Sequence, residues 1–326
     1  MYLVTGGAGF IGSNLTAALA ERGERVAVCD RLGQDEKWQN VAKHLLDDIV
    51  PPEELWHWLE GRRDLAGVVH LGAISATTER DMDLLVRENL RLSQAVWRWC
   101  AERRVPLLYA SSAATYGDGS AGFDDDPAPE ALARLRPLNG YGWSKHLFDR
   151  WALREVASGG PRPPQWAGLK FFNVYGPNEY HKGGMRSVAN HLYGQLQTKD
   201  SVRLFASHRP DYADGEQKRD FVYVGDCVEA MLWLLERGRV NGLFNLGTGR
   251  AESFKAVAEA VFAATNRRPR IEYVPTPEEI RERYQYFTQA NMRRLREAGY
   301  ERPFLTVAEG VERYLHDYLT KADPYR

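Results

Sequence analysis

The sequence is poor in cysteine and has no long apolar run. It has 3 cysteines in 326 residues, at positions 29, 100 and 227, and their lack of CxxC spacing is typical of a reducing compartment. No stretch approaches the roughly 18 uninterrupted apolar residues that cross a bilayer, and no secretory leader precedes the apolar run at residues 2–4. We therefore expect a cytoplasmic protein without a membrane partner.

An excess of charge of either sign is also missing. The chain carries 43 Lys and Arg against 44 Asp and Glu, a formal net charge of -1. Sequence-independent binding to a phosphate backbone needs a strongly basic surface, and the basic cluster at residues 267–270 is short and interrupted. Nucleic acid is therefore not an expected partner, and no metal site is expected.

Apolar residues make up 44% of the chain, and their spacing predicts the fold. Short apolar runs alternate with longer segments of helical periodicity, such as residues 11–22 and 84–103. The apolar runs lie at residues 2–4, 26–28, 68–71, 107–109 and 169–172. Because this alternation is typical of βαβ units, we expect an α/β protein with a Rossmann-type, doubly wound parallel sheet.

The alternation stops after about residue 172 and leaves a second, smaller unit. A helix is predicted at 187–197, and strand-like runs return at 221–224 and 243–246 before a helix at 253–264. We expect a discontinuous Rossmann domain of residues 1–171 plus 221–250, and a smaller mixed α/β substrate-binding domain of residues 172–220 plus 251–326. The acidic, proline-containing residues 124–129 predict an exposed loop.

A glycine-rich turn follows the first predicted strand and opens the first predicted helix. Gly6, Gly9 and Gly12 satisfy GxxGxxG, and Gly7 extends the match to GxGxxG. Without Cβ atoms the backbone can approach a pyrophosphate at the positive end of a helix. Asp30 ends the second strand, where a carboxylate can bind the adenosine ribose hydroxyls. Together these features predict a dinucleotide site.

The sequence leaves the choice between NAD and NADP open. Asp30 alone favours NAD, whereas the nearby Arg31 and Lys37 could neutralise a 2′-phosphate. A single charged residue in a loop is about as often a solvated side chain with no binding role. We expect NADP, with NAD as the alternative.

Tyr141 and Lys145 form a YxxxK pair, which predicts proton transfer coupled to hydride transfer. The spacing places both side chains on one helix face. A tyrosine has an ordinary pKa of about 10, but the lysine ammonium and the positive charge of a nicotinamide favour its phenolate. Taken alone, the pair is more typical of a half-buried tyrosine and a surface lysine. Ser112 strengthens the prediction, because it follows a strand at the ligand-binding edge of the sheet and can hold the reacting oxygen against Tyr141.

The order of the glycine turn, the serine and the YxxxK pair resembles the extended short-chain dehydrogenase/reductase superfamily. Residues 172–177, 219–226 and 245–249 resemble its sugar-nucleotide branch. The closest resemblance is to the ADP-L-glycero-D-manno-heptose 6-epimerase family, at residues 111–117, 176–185, 247–254, 284–290 and 298–310. Two stretches depart from that family as insertions, around residues 119–136 and 208–217.

The resemblance implies an isomerase that interconverts ADP-D-glycero-D-manno-heptose and ADP-L-glycero-D-manno-heptose at carbon 6, in lipopolysaccharide core precursor synthesis. It implies transient hydride transfer to tightly bound NADP, after which the carbonyl compound takes the hydride back on its other face. Inversion calls for an acid/base on each side of the carbon, and the resemblance supplies Tyr141 and Lys182. Read without the family, Lys182 is a surface charge. A homo-oligomer, such as a pentamer, is also implied.

The same resemblance assigns residues to the two ligands. Those expected at the cofactor, besides the glycines of the turn, are Phe10, Ile11, Asp30, Arg31, Lys37, Leu71, Gly72, Ala73, Ile74, Ser75, Asn89, Tyr141, Lys145, Val174 and Lys182. Those expected at the ADP-heptose are Ser112, Asn173, Gly184, His191, Phe205, Ala206, Ser207, His208, Arg219 and Tyr284. Arg219 suits the diphosphate because a guanidinium makes fork-shaped, charge-assisted hydrogen bonds.

Alternatives to this activity remain open. Dehydratases of the superfamily carry an Asp-Glu pair after the serine, but Ala113 and Ala114 stand there, so dehydration is disfavoured. A sugar-nucleotide 4-epimerase shares the Ser-Tyr-Lys set, and only the stretch around Lys182 separates it. A non-catalytic NADP-binding regulator is disfavoured because that set is intact.

Overall fold

A seven-stranded parallel sheet lies at the centre of the computed structural model, which describes residues 1–281 and 284–326 apart from the side chains of residues 279 and 280. The strands in chain order are β1 (Tyr2–Thr5), β2 (Val26–Cys29), β3 (Asp48–Val50), β4 (Gly67–His70), β5 (Leu107–Ser112), β6 (Trp166–Phe171), β7 (Asn173–Tyr175), β8 (Val202–Phe205), β9 (Lys218–Arg219), β10 (Phe221–Tyr223), β11 (Gly242–Leu246), β12 (Glu252–Ser253) and β13 (Ile271–Val274). The central sheet has the order β3-β2-β1-β4-β5-β6-β11, and its neighbouring strands are parallel. The predicted Rossmann-type sheet is therefore confirmed.

The helices follow the strands in the expected alternation. In chain order they are α1 (Phe10–Glu21), α2 (Leu55–Leu59), α3 (Met82–Leu85), α4 (Leu92–Arg103), α5 (Pro129–Arg134), α6 (Gly140–Ala157), α7 (Val188–Leu196), α8 (Val224–Arg237), α9 (Phe254–Ala264), α10 (Glu278–Arg281), α11 (Arg293–Glu297) and α12 (Val307–Tyr314). A π-helical segment, Val86–Arg91, joins α3 to α4. Within the described part of the chain, no helix has the length and apolar character to cross a membrane.

The sheet is covered on both faces, as its sequence pattern requires. Every residue of β2, β4, β6 and β11 is buried, and because successive side chains point to opposite faces, both faces must pack against other elements. A second, smaller group of buried apolar residues comes from β8, α7, α9 and α12. The division into two discontinuous domains stays a prediction.

Two local predictions differ from the structure. Ser112 is the last residue of β5 rather than the residue after it. The exposed loop predicted at residues 124–129 is wrong at Asp125, which is buried. Its Oδ2 accepts a hydrogen bond from the Asn245 backbone N–H at 2.7 Å, and Arg294 lies 3.8 Å from its other oxygen. Partners from a distant part of the chain therefore explain its burial.

A buried ion pair fixes α6 to the sheet. Lys170 Nζ lies 2.8 Å from Asp149 Oδ2, and both side chains are fully buried. The same carboxylate accepts from Ser111 Oγ at 2.7 Å and from the Tyr109 hydroxyl at 3.2 Å, and Lys170 also donates to Thr115 Oγ1 at 2.7 Å. Such a set of partners is what a buried charge pair needs.

Lys170→Met removes the cation and leaves the Asp149 carboxylate buried without it. We expect the free energy of unfolding to fall by about 3–5 kcal/mol, measured by urea denaturation. Arg203→Met is the matched control, because Arg203 pairs with Glu272 at 3.4 Å on the surface, and exposed pairs contribute about 0–1 kcal/mol. Equal losses in the two variants would contradict a structural role for the buried pair.

Candidate active site

The turn between β1 and α1 is tighter than residues with a Cβ allow. Gly6 has a φ of 66°, and a Cβ on it would lie 2.6 Å from the Gly72 nitrogen, while a Cβ on Gly12 would overlap the Gly6 carbonyl oxygen. Because α1 begins directly after this turn, its free N–H groups and positive dipole end lie beside the turn. The sheet order reverses between β1 and β4, which is where Rossmann-type sheets open a ligand crevice.

This crevice gathers most of the residues predicted to bind the cofactor or the reacting atoms. From the predicted set it is lined by Gly6, Gly9, Phe10, Ile11, Gly12, Asp30, Lys37, Leu71, Gly72, Ala73, Ser75, Ser112, Tyr141, Lys145, Val174 and Lys182. Arg31, Ile74 and Asn89 lie outside its lining. Asn89 is buried; its Oδ1 accepts from the Ile74 N–H at 2.8 Å and its Nδ2 donates to the Ile74 carbonyl at 3.0 Å. Asn89 therefore holds the loop that forms one wall.

Asp30 and Lys37 form a mostly buried ion pair at the edge of the crevice, with Nζ and Oδ1 2.7 Å apart. The other carboxylate oxygen of Asp30 accepts from the Ala8 N–H at 3.0 Å. The Arg31 guanidinium is directed away and pairs with Glu53 at 3.0 Å on the surface. Of the two cations predicted beside the cofactor, the fold brings Lys37 to the crevice and leaves Arg31 outside.

Helix α6 presents Tyr141 and Lys145 to the crevice. Lys145 Nζ donates to the Ala110 carbonyl at 2.9 Å, and burial lowers the pKa of Lys145 to about 8. Burial also raises the pKa of Tyr141, while its hydrogen bond with Ser112 opposes that shift. The sequence predicted that Lys145 would favour the phenolate; among the protein groups the dominant influence on the pKa of Tyr141 is instead burial, which favours the protonated form, and the Lys145 ammonium is bonded to a backbone carbonyl.

Lys182 reaches the crevice from a separate segment, the 3-10 helical turn Tyr180–Met185. Its Nζ lies 5.3 Å from the centroid of the Phe10 ring. Burial lowers the pKa of Lys182, and the nearby Glu179 carboxylate opposes this shift. Glu179 is itself fully buried and accepts a hydrogen bond from Ser187 Oγ at 2.6 Å. A half-buried ammonium is thus held beside the first residue of α1.

A second cavity, of about 930 Å³, adjoins the N-terminus of α6. Its volume is in the range of small-molecule sites. Arg219 and Tyr284 line it, with the guanidinium carbon 5.5 Å from the Tyr284 ring centroid. Burial lowers the pKa of Arg219 to about 10. The cavity therefore pairs a desolvated cation with an aromatic ring, as a phosphate and an attached planar base require.

The remaining residues predicted at the substrate are divided among three places. His191 and Phe205 line a hollow of about 340 Å³ that shares Tyr284 with the larger cavity. Ala206, Ser207 and His208 follow β8, and the His208 ring lies 6.1 Å from that of Tyr284. Asn173 and Gly184 are exposed and line none of these cavities.

Sequence reasoning missed several lining residues. Thr77, Thr78 and Glu79 line the larger cavity, directly beyond the predicted stretch 71–75. His181 lines the crevice, and its Nδ1 lies 3.2 Å from Asn40 Nδ2. Adjacency to predicted site residues was the only available signal, because nothing in the local pattern shows where these side chains point.

Comparisons with known proteins point to one family. The NAD dependent epimerase/dehydratase family model matches residues 2–247. A protein of Nitratidesulfovibrio vulgaris strain DP4 named ADP-L-glycero-D-manno-heptose-6-epimerase is 51% identical, with 100% of both chains covered. A protein of the same name from Fusobacterium nucleatum is 43% identical, again with 100% of both chains covered.

Solved structures show the same relationship. The Helicobacter pylori ADP-L-glycero-D-manno-heptose-6-epimerase superposes with a TM-score of 0.77 at 25% identity, covering 96% of this chain and 94% of that one. The Thermus thermophilus UDP-glucose 4-epimerase complex with NAD gives 0.74 at 27% identity, covering 98% and 99%. The relatives carry the family name that the motifs indicated, and the chain belongs to the NAD dependent epimerase/dehydratase family.

Proposed function

We propose that the chain interconverts ADP-D-glycero-D-manno-heptose and ADP-L-glycero-D-manno-heptose by epimerisation at carbon 6, in lipopolysaccharide core precursor synthesis. The observation that carries this proposal is that Lys182 lines the same crevice as Tyr141, although the two residues lie on different segments of the chain. The proposed inversion at carbon 6 uses such a second acid/base group. The names of the full-length relatives support the same reaction.

The proposed inversion at carbon 6 uses two protein groups that exchange a proton with the same substrate oxygen, one in each orientation of the heptose. The chemistry that bound NADP supplies is reversible acceptance of the hydride from carbon 6. Tyr141, with Ser112 beside it, takes the hydroxyl proton in one orientation of the heptose, and Lys182 serves in the other. The buried Arg219 holds the diphosphate, so the heptose can reorient while the nucleotide stays bound.

The environments of the two groups suit proton exchange. Because burial lowers the pKa of Lys182, its ammonium releases a proton more readily than that of an exposed lysine. Burial alone would keep Tyr141 protonated, and the hydrogen bond with Ser112 offsets part of that effect. Ser112 therefore both holds the reacting oxygen and makes the phenolate more accessible.

The crevice fits a dinucleotide, and we propose NADP, with NAD as the alternative. The glycine turn lets a pyrophosphate approach the backbone at the start of α1, and a Cβ on Gly9 would lie only 3.0 Å from the Gly6 oxygen in this turn. Both oxygens of Asp30 are already bonded, to Ala8 and Lys37. The Lys37 ammonium also donates to the Arg31 carbonyl at 2.8 Å, so one of its three N–H groups is left to bind a 2′-phosphate, with the Asp30 carboxylate largely neutralised.

Tyr141→Phe and Lys182→Ala each remove one proton-exchanging group and leave the glycine turn intact. We expect each change to lower kcat by about 10²–10⁴-fold while NADP stays bound, and the double variant to be nearly inactive. Lys199→Ala, at an exposed lysine beyond α7, is the matched control and should leave kcat unchanged. The measurement is chromatographic separation of the two epimers over time. Full activity in either single variant would show that the two-base assignment is wrong.

Lys37→Ala should change the preference between the two dinucleotides. We expect NADP affinity to fall about tenfold, roughly the value of one charge-assisted contact, and NAD affinity to be kept, because Asp30 becomes free to bind a ribose hydroxyl. Calorimetric titration of the cofactor-stripped protein measures both. Arg31→Ala is the control and should change neither affinity by as much. An unchanged ratio of NADP to NAD affinity in Lys37→Ala would refute the proposed role of Lys37.

Ser112→Ala removes the hydrogen bond that lowers the pKa of Tyr141, so that pKa should rise further above its ordinary value. The pKa of Tyr141 is measured by following the ultraviolet absorbance of the phenolate across a pH series. The absorbance of the matching Tyr141→Phe variant is subtracted from that of each protein, which isolates the Tyr141 titration. Ser158→Ala, beyond the far end of α6, is the control and should leave the Tyr141 titration in place. A titration that stays put or moves to lower pH in Ser112→Ala would count against the assigned hydrogen bond.

A further inference from the structure

Residues 323–326, which we name the strap, lie against the segment that carries Lys182. The Tyr180 hydroxyl donates to the Pro324 carbonyl at 2.8 Å. The rings of Tyr180 and Tyr325 pack edge to face, with centroids 5.1 Å apart and planes at 89°. Tyr180 begins the 3-10 turn that presents Lys182, so the strap contacts the first residue of that turn.

A second contact of the strap is made to Asn178. This residue is fully buried and has a φ of 70°. Its Oδ1 accepts from the Arg326 backbone N–H at 3.0 Å, and its Nδ2 donates to Ser13 Oγ at 3.0 Å and to the Asn40 carbonyl at 3.3 Å. Asn178 thus joins the strap to α1 and to the 3-10 turn Glu36–Asn40, two elements of the dinucleotide crevice.

Further contacts join the strap to α1 and to Lys43, which lies just after the 3-10 turn Glu36–Asn40. Lys43 Nζ lies 2.8 Å from the Asp323 carboxylate and donates to the Tyr325 carbonyl at 2.5 Å. The Arg326 guanidinium pairs with Glu21, in the last turn of α1, at 2.9 Å. Several contacts at both ends make the strap a bridge between the cofactor side of the crevice and the Lys182 segment.

On its other side Lys182 is followed by two glycines that leave open space for a side chain, although their carbonyls accept hydrogen bonds from Arg186 Nε at 2.9 Å and from His191 Nε2 at 3.2 Å. A Cβ added to Gly183 or Gly184 would meet no described atom within 4 Å. The backbone N–H of Lys182 donates to the Glu179 carbonyl at 3.0 Å, and the Glu179 carboxylate binds Ser187 across the turn. The segment that carries Lys182 is therefore fixed on both sides, and the residues that precede Lys182, Asn178 and Tyr180, are those that the strap holds.

We propose that the strap positions Lys182 over the crevice, acting through Tyr180 and Asn178. Tyr325 and Lys43 are then positioning residues, although neither lines the crevice. The catalytic consequence rests on the function proposed above. Because a small displacement of a reacting group costs catalysis heavily, loosening the strap should lower turnover without lowering cofactor affinity.

Hydrogen–deuterium exchange tests the strap without reference to any reaction. In Tyr325→Ala we expect the amides of residues 180–187 to exchange about tenfold faster, including those of Lys182 and Ser187, while residues 140–157 are unchanged. Tyr325→Phe keeps the ring contact and should behave as the unaltered protein. Lys321→Ala, at an exposed lysine with no ion pair among the described residues, is the surface control. Unchanged exchange at 180–187, or faster exchange throughout, would overturn the proposal.

Kinetics then test whether the strap acts through Lys182. We expect Tyr325→Ala and Lys43→Ala to lower kcat about tenfold with NADP affinity retained, Tyr325→Phe to restore it, and Tyr325→Ala to cost nothing further in a Lys182→Ala background. Equal losses in both backgrounds would mean a general structural role and overturn the proposal. If the unaltered protein converts no ADP-heptose, the proposed function fails, and the exchange measurement still decides on the strap.

Discussion

The close approach of the β1–α1 turn to the loop after β4 is the constraint on which the site depends. Gly6 and Gly72 come nearer than side chains would permit, and Thr5 fixes their approach. Its Oγ1 accepts from the Gly72 N–H at 3.2 Å and lies 2.7 Å from His70 Nδ1. Burial lowers the pKa of His70 to about 3, which favours the neutral ring at this contact.

From His70 a buried hydrogen-bond chain continues to α6, the helix that carries Tyr141. The contacts join His70 Nε2 to Ser93 Oγ at 3.0 Å, Ser93 Oγ to the Asn89 carbonyl at 2.6 Å, Asn89 Nδ2 to Ser144 Oγ at 2.9 Å, and Ser144 Oγ to the Tyr141 carbonyl at 2.7 Å. Satisfied buried networks of this kind stiffen the elements they join. The β1–α1 turn and Tyr141 are therefore placed by one continuous set of contacts.

Local pattern predicts much of this site, and tertiary pairing explains what it misses. The glycine turn, Ser112 and the YxxxK pair are short motifs, and the apolar alternation predicts the parallel sheet. Asp125 has the sequence context of a charged residue in an exposed loop. It is nevertheless buried, and its carboxylate accepts a hydrogen bond from the backbone N–H of the distant Asn245. Arg31 and Lys37 are equivalent in sequence terms, and the fold decides which one reaches the crevice.

The central claim is that the hydride which leaves carbon 6 also returns to it. Tyr141 and Lys182 exchange only the proton of the hydroxyl group and never the hydrogen bound to carbon. The direct test is to incubate the purified protein, without added cofactor, with ADP-D-glycero-D-manno-heptose that carries deuterium on carbon 6. Chromatography separates the epimers, and mass spectrometry measures their label. The account predicts conversion to the L-glycero epimer with the deuterium retained. Loss of deuterium to water, or no conversion by protein shown to hold NADP, would contradict it.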